Sequence, residues 1–158
     1  NVAVEWLRNR SSVLCLAYVI FLAIFYGAVA SVVSPTRAAT MTNVAHGIVT
    51  FLGLHWAKGS PDPVAQGEFD GLTVWEQIDG GRPWTTSKKL FMLVPTIMML
   101  VAFNATNYDK HFMAINLPFY ALCIIPKLPQ LHGVRILGIN ATVGIEDVVR
   151  TPPTTKVD

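Results

Sequence analysis

The sequence predicts an all-α membrane protein. Four transmembrane helices are joined by short turns on one side of the bilayer, with one long loop and an extended C-terminal strap on the other. Three observations predict it. The composition is 52% apolar and only 14% charged, with a mean hydropathy of +0.44, whereas soluble domains carry nearer to a quarter charged residues. The apolar residues gather into four runs, 13–33, 38–56, 90–103 and 112–125, with no acidic residue in any of them. Bases bracket the last two runs at one end: Lys88 and Lys89 precede the third and Lys127 follows the fourth. A membrane hairpin explains that layout, because long basic side chains reach the headgroups while apolar residues fill the hydrocarbon.

Taken in order, residues 1–12 are polar, with Arg8 and Arg10 just ahead of the first run. Val2, Val4, Trp6 and Leu7 suit a segment lying in the interface or against a partner. The 21 residues of 13–33 reach ~31 Å at 1.5 Å per residue, enough to cross a bilayer once. This run is too long for the apolar core of a signal peptide and reads as a retained span. Pro35 ends it in a brief turn.

The run 38–56 is the least apolar. Thr42, Asn43, His46 and Thr50 fall three and four apart, so they share one helical face. A polar stripe in hydrocarbon must meet another helix, so this face should point into the bundle or at a partner. His46 and His55 are nine residues apart, about 180° around a helix, so they do not bind one metal together. No acid in any run stands ready to pair with a proton-carrying histidine.

Residues 57–87 form the only long polar loop. Gly59-Ser60-Pro61-Asp62-Pro63 marks a rigid exit from the second span. Leu72, Trp75 and Ile78 recur three apart on one broad side of a short helix that stops at Gly80-Gly81. Trp75 suits the membrane interface, and Glu76 and Asp79 are expected to face water or a partner. Two acids three apart can serve acid–base chemistry, but no nucleophile, histidine or metal ligand lies near them, which favours a solvated helix face.

The runs 90–103 and 112–125 form a hairpin through 104–111, with Pro95 and Pro118 interrupting the two helices. Each is shorter than the ~20 residues of an ordinary span. A pair of buried core helices in a soluble protein is therefore the competing reading, and the apolar first half of the chain argues against it. Residues 126–140 hold two prolines and two glycines, which exclude a regular helix. Leu128, Leu131, Val134, Ile136 and Ile139 are too apolar for a free tail, so the segment should be an extended strap packed on protein. Residues 141–158, with Pro152-Pro153 and little apolar content, read as a loose tail or docking arm. A length of 158 residues fits one domain, here a membrane domain over 1–140 and a tail over 141–158.

The net charge of +2 and the dispersal of the bases exclude a nucleic-acid partner. Cys15 and Cys123 sit in apolar runs as small hydrophobes, and two cysteines make neither a disulfide framework nor a zinc site. No metal site and no cofactor site is visible. With four spans, ten of the twelve bases fall on the side of both termini and the long loop, and only Arg37 and Lys110 lie opposite. By the positive-inside rule the termini, loop and strap are cytosolic and the short turns lumenal.

Two stretches carry a resemblance. Leu72-Thr73-Val74-Trp75-Glu76-Gln77-Ile78-Asp79, followed by Thr86-Ser87-Lys88-Lys89-Leu90, is one. The sixteen residues Ile125-Pro126-Lys127-Leu128-Pro129-Gln130-Leu131-His132-Gly133-Val134-Arg135-Ile136-Leu137-Gly138-Ile139-Asn140 are the other. Both closely resemble the Orm family (the orosomucoid-like, ORMDL proteins). Thr42-Asn43 with His46, His55, Lys58-Gly59-Ser60-Pro61 and Tyr108-Asp109 support it in order and spacing.

The resemblance implies a small four-span protein of the endoplasmic reticulum membrane. It implies a regulatory subunit that binds the large subunits of serine palmitoyltransferase and restrains sphingolipid synthesis in response to ceramide. The lipid is held where the segment before the first span meets the enzyme and the cytosolic loop. Asn1 stands for the family's lipid-contacting asparagine, and Val74 stands where some animal members carry a histidine before the loop tryptophan. Trp75, Glu76, Pro126, Lys127, Leu131, His132, Arg135 and Ile136 are the expected partner interface. One rival is a structural subunit of another large membrane assembly using an Orm-like fold. A lipid-modifying enzyme is a weaker rival, since the histidine clusters of desaturases and an H-x-x-x-x-D acyltransferase pair are both missing.

Three N-x-S/T sequons occur, at Asn9, Asn104 and Asn140. The topology puts the first and last in the cytosol and the second against the membrane. The protein should carry no N-glycan, and a glycosidase-sensitive mass shift would show the orientation to be wrong.

Overall fold

The computed structural model describes residues 11–59 and 69–141. It is all-helical. Four long helices make the bundle, and among the described residues the sole strand-like feature is one isolated bridge between Lys58 and Thr73. Helix α1 is Ser11–Ala30. After the turn, Ser34 and Pro35 open α2, Pro35–Thr50, with proline at the first helical position where its missing N–H is harmless. The chain then widens without a break into a π-helical segment, Phe51–Trp56. The short loop helix α3 is Val74–Gln77 and leads into the 3₁₀ turn Ile78–Gly81, where Gly80 and Gly81 adopt the left-handed backbone that stops it. Helices α4, Thr86–Ala105, and α5, Lys110–Ile124, form the hairpin. Asp109 caps α5 by accepting from the N–H groups of His111 (2.9 Å) and Phe112 (3.3 Å).

The polar face expected on α2 is the centre of the bundle. Thr42, Asn43, His46 and Thr50 are all buried, and α2 packs against α1, α4 and α5. Asn43 donates to the Asn116 side-chain oxygen on α5 at 2.9 Å, and Asn116 donates in turn to Thr40 at 3.1 Å and to the Phe112 carbonyl at 2.8 Å. The close crossing of α2 and α5 needs Gly47, because a Cβ there would meet the Phe119 carbonyl oxygen at 2.9 Å. The Tyr18 hydroxyl bonds the His46 ring and ties α1 to α2. Thr36 donates to the Ala105 carbonyl at 2.9 Å and joins the start of α2 to the end of α4. His46 therefore serves packing, and His55 lies apart from it against the loop.

Polarity is inverted relative to a water-soluble domain. Among the described residues, thirteen polar or charged side chains are buried against seven apolar ones, Pro95 included. Phe21, Ile24, Leu100 and Leu117 point outward. Among the described residues, only α4 is both long and apolar enough to cross a membrane on the criteria of length and hydropathy, and the apolar part of α1, Leu16–Ala30, is shorter. The structure thus establishes an all-helical bundle, while the expected count of four spans is not settled by helix length and hydropathy. The strap also differs from expectation. It is not extended but a chain of 3₁₀ turns, Ile125–Lys127, Pro129–Leu131 and Ile136–Gly138, because each proline or glycine resets the backbone after a single turn.

Replacing Asn116 by leucine would remove the side-chain acceptor of the buried Asn43 amide, leaving it only the longer bond to the residue-116 carbonyl (3.3 Å), and would leave the Thr40 hydroxyl without its donor. The variant should lose about 1–3 kcal/mol of stability, read as a lower thermal midpoint of the purified protein in detergent. Asn116→Asp, which keeps an acceptor for Asn43, should lose less.

Candidate functional site: the loop–strap clasp

The face built by α3, the π-helical segment and the strap gathers most of the residues singled out by sequence. Its local logic starts at Thr73. The Thr73 hydroxyl accepts from the Glu76 N–H at 3.3 Å while a Glu76 carboxylate oxygen accepts from the Thr73 N–H at 2.7 Å, a reciprocal capping box that fixes the four-residue helix α3. That box turns Glu76 inward. Gln77 sews the loop shut by donating to the carbonyls of Gly59 (2.8 Å) and Leu72 (3.2 Å).

The strap then closes over Glu76. The Arg135 guanidinium grips both carboxylate oxygens, at 2.6 and 2.8 Å, and also donates to the Gly71 carbonyl at 3.0 Å. The N–H of Gly133 adds a further bond to the same carboxylate at 3.0 Å. Gly133 has a φ of 73°, left-handed backbone that a glycine adopts without strain. Two-pronged pairing of this kind fixes geometry as well as energy. Burial alone would raise the Glu76 pKa. The hydrogen bonds from Arg135 and Thr73, with the charge of Arg135, outweigh burial and hold it down to about 2.

Trp75 is only 2% exposed. His55 packs on it at 5.4 Å between ring centres and Phe91 meets it edge-on at 6.4 Å. Lys88 Nζ lies 5.3 Å and Lys127 Nζ 5.9 Å from the centre of the ring, so two cations share its π-face electrons. Both lysines are buried. Lys88 donates to the Arg82 carbonyl at 2.6 Å, and Lys127 donates to Cys123 Sγ at 3.0 Å. Burial pushes the Lys127 pKa below the ordinary lysine value. Burial, and then the charge of Lys88, pushes His132 down as well. Asn140 fastens the end of the strap by donating to the Trp56 carbonyl at 2.9 Å.

The expected interface therefore divides. Trp75, Glu76 and Lys127 are buried within the chain, so Glu76 does not face water or a partner as its polar surroundings implied. Pro126, Leu131, His132 and Arg135 are half-buried, and Ile136 is exposed. Val74 is half-buried at the first turn of α3. Asn1 lies outside the described residues, as does the tail from 142. Two side chains that sequence reasoning passed over belong to this face, Gln77 and Leu137, and Lys88, expected at the headgroups, belongs to it as well. Leu137 is 93% exposed in a left-handed backbone, φ 55°, an arrangement uncommon for a leucine.

Between the strap and the π-helical segment lies a cavity of about 300 Å³, lined mainly by apolar side chains such as Phe51, Trp56, Leu131 and Ile139. His55 and His132 also line it, and His55 Nε2 and His132 Nδ1 are buried without a hydrogen-bond partner in the protein. Among the described residues no group of three His, Cys, Asp or Glu is placed to hold a metal ion.

Fold and site together define a class: an all-helical bundle with a polar interior, carrying a stapled loop-and-strap face at one end. The chain belongs to the ORMDL family, whose family model matches residues 1–135. It is similar to ORM1-like protein 2 of Homo sapiens, 38% identical over 128 residues, covering 79% of this chain and 84% of the relative. It is also similar to ORM1-like protein 1 of Danio rerio, 44% identical over 102 residues, covering 64% and 67%. An uncharacterised protein of Schizosaccharomyces pombe is 31% identical over 137 residues, covering 86% and 73%. None of these names denotes an enzyme.

Arg135→Ala would leave the Glu76 carboxylate buried without its charge partner and should cost about 3 kcal/mol, seen as a lower thermal midpoint. The pH dependence has a definite sign. The folded Glu76 pKa, about 2, lies below its ordinary 4.5. Its contribution is therefore fully present above ~4.5 and lost only as pH falls toward ~2. The hydrogen-exchange protection factor of the Gly133 amide should stay constant from neutral pH to about 4.5 and decline below that.

Proposed function

We propose that this chain is a non-catalytic regulatory subunit embedded in the endoplasmic reticulum membrane by four spans. It binds the large subunits of serine palmitoyltransferase and restrains sphingolipid synthesis in response to ceramide. Membership of the ORMDL family is the observation that carries this reading. The inverted polarity of the bundle supports the membrane part of it, since outward Phe21, Ile24 and Leu100 suit hydrocarbon and the buried Asn43–Asn116 pair suits a helix contact within lipid.

The exposed side of the strap supports the partner part. Val134, Ile136, Leu137 and Ile139 present an apolar ridge beside the cavity, and such a ridge next to a polar clasp marks a protein contact. The partner touches that ridge, while Trp75, Glu76, Lys127 and Arg135 hold it in place from behind. Leu137 is the first anchor to enter the partner, because its backbone is already fixed outward and little ordering is left to do on binding.

The restraint works by position. The host enzyme joins serine and an acyl thioester on pyridoxal phosphate. The loop and residues 1–10 lie over the acyl access of that enzyme and narrow it. Ceramide wedged between Asn1, Val74 and the enzyme favours the occluded arrangement, and the strength of inhibition is set by its differential affinity for the occluded and open states.

Deleting residues 1–10 and assaying the reconstituted complex tests this. Inhibition by added ceramide should fall at least fivefold while the complex still assembles. Unchanged inhibition would remove the N-terminal segment from the mechanism. Copurification without any pyridoxal phosphate enzyme would instead favour the assembly-subunit reading.

A further inference from the structure

Where the loop runs into α4, a polar recess opens that shares no residue with the cavity under the strap. It is lined by Asp79, Gly80, Arg82, Thr85 and Ser87. A helix leaves the leading N–H groups of its first turn without intrahelical partners. In α4 the Lys88 N–H is taken by the Thr85 hydroxyl at 3.3 Å, and those of Thr86 and Ser87 find no acceptor among the described residues. A second observation does not depend on the backbone. Ser87 is 8% exposed and lines the recess, and its hydroxyl makes no hydrogen bond among the described residues, yet it is not sealed from solvent. A polar group this deeply set ordinarily has a partner. Arg82 brings a guanidinium to the same recess from the exposed side. Two amides, a hydroxyl and a guanidinium at a helix N-terminus suit a phosphate. The opposite wall changes the chemistry. Asp79 accepts from the Thr85 hydroxyl through one carboxylate oxygen, and its other oxygen takes no hydrogen bond among the described residues. That charge repels a bare phosphate and welcomes a ligand with a cation a few bonds from its phosphate.

We propose that this recess binds the headgroup of a phosphatidylethanolamine. The phosphate sits on the first turn of α4 with Ser87 and Arg82, and the ammonium donates to Asp79. The proposal rests on the membrane reading above. Position names the source of the ligand. Among the described residues α4 is the helix long and apolar enough to cross a membrane, and the recess lies at its leading end. Trp84 is 48% exposed there, with Lys89 Nζ 5.3 Å from its ring centre. An exposed aromatic ring paired with a base suits the headgroup layer. The two walls together select the headgroup. A primary ammonium has N–H groups to give Asp79. A trimethylammonium has none and seeks aromatic faces, and the Trp84 ring beside the recess already carries Lys89. Phosphatidic acid lacks the cation, and a serine headgroup brings a second carboxylate toward Asp79.

The test reconstitutes the full chain into nanodiscs holding equal amounts of phosphatidylcholine, phosphatidylethanolamine and phosphatidic acid with matched acyl chains. Lipids retained on the protein are counted by native mass spectrometry. Phosphatidylethanolamine should be retained at least fivefold over phosphatidylcholine. Ser87→Ala, which deletes only the hydroxyl, and Arg82→Gln should each lower retention at least twofold, for phosphatidic acid as well. Asp79→Asn should separate the two lipids: phosphatidylethanolamine falls at least threefold while phosphatidic acid rises, a reversal that mere loosening of the loop would not produce. Soluble glycerophosphoethanolamine, added in excess, should not displace the lipid. Equal retention of phosphatidylethanolamine and phosphatidylcholine, retention unchanged in Ser87→Ala and Asp79→Asn, or displacement by the soluble headgroup would each overturn the lipid site. A protein that does not enter the nanodiscs at all would overturn both this site and the membrane reading beneath it.

Discussion

Everything on the loop-and-strap face depends on one carboxylate. Glu76 takes bonds from Thr73, Gly133 and both prongs of Arg135, and so it joins segments 57 residues apart in sequence. Without it the strap has few fixed points, since three single 3₁₀ turns carry little stability of their own. With it, Arg135 also holds the Gly71 carbonyl and the loop is pinned from two directions. A buried ion pair of this type is weak evidence for added stability, because desolvation offsets most of its attraction. Its value lies in geometry: only one register of strap against loop satisfies all four bonds.

Around that carboxylate the charges are arranged asymmetrically. Lys88 and Lys127 are both buried against Trp75, and neither forms the Glu76 pair. A carbonyl, a thiol and an aromatic face take up their charge instead. Two of the three bases that sequence places at the headgroups to anchor the hairpin, Lys88 and Lys127, are thus folded back onto the loop, while Lys89 stays exposed. They anchor the hairpin to the protein as well as to its surroundings, which makes the tryptophan a joint between the bundle and its cap rather than a free interfacial residue.

How much of this could be read from sequence follows from the range of each interaction. The bundle was legible because its signals are local. Charge-free runs gave the helices to within a few residues, and the three-and-four spacing of Thr42, Asn43, His46 and Thr50 gave the buried face of α2. The Gly80-Gly81 pair gave the end of α3. The clasp was not legible, because its partners are remote. Glu76 sits in the most polar part of the chain, where a lone carboxylate looks solvated, and nothing near it points to Arg135. One local clue was present. Thr73 and Glu76 have the spacing of a capping box, which commits the glutamate to its own backbone and argues against a side chain free for water. Burial of Lys88 and Lys127 could not be foreseen, since a base beside an apolar run ordinarily reaches outward. Leu137 escaped notice because neither its exposure nor its left-handed backbone is written in composition.

The order in which the clasp is made has a consequence for biosynthesis. Glu76 leaves the ribosome well before Gly133 and Arg135, with the whole α4–α5 hairpin still to be made. Throughout that interval the Glu76 carboxylate has only its local bond from the Thr73 N–H. The synthesis of Gly133 and Arg135 supplies its remaining partners. A chain that stalls or is cut before Gly133 keeps that carboxylate unclasped, a chemical mark by which an unfinished molecule differs from a finished one.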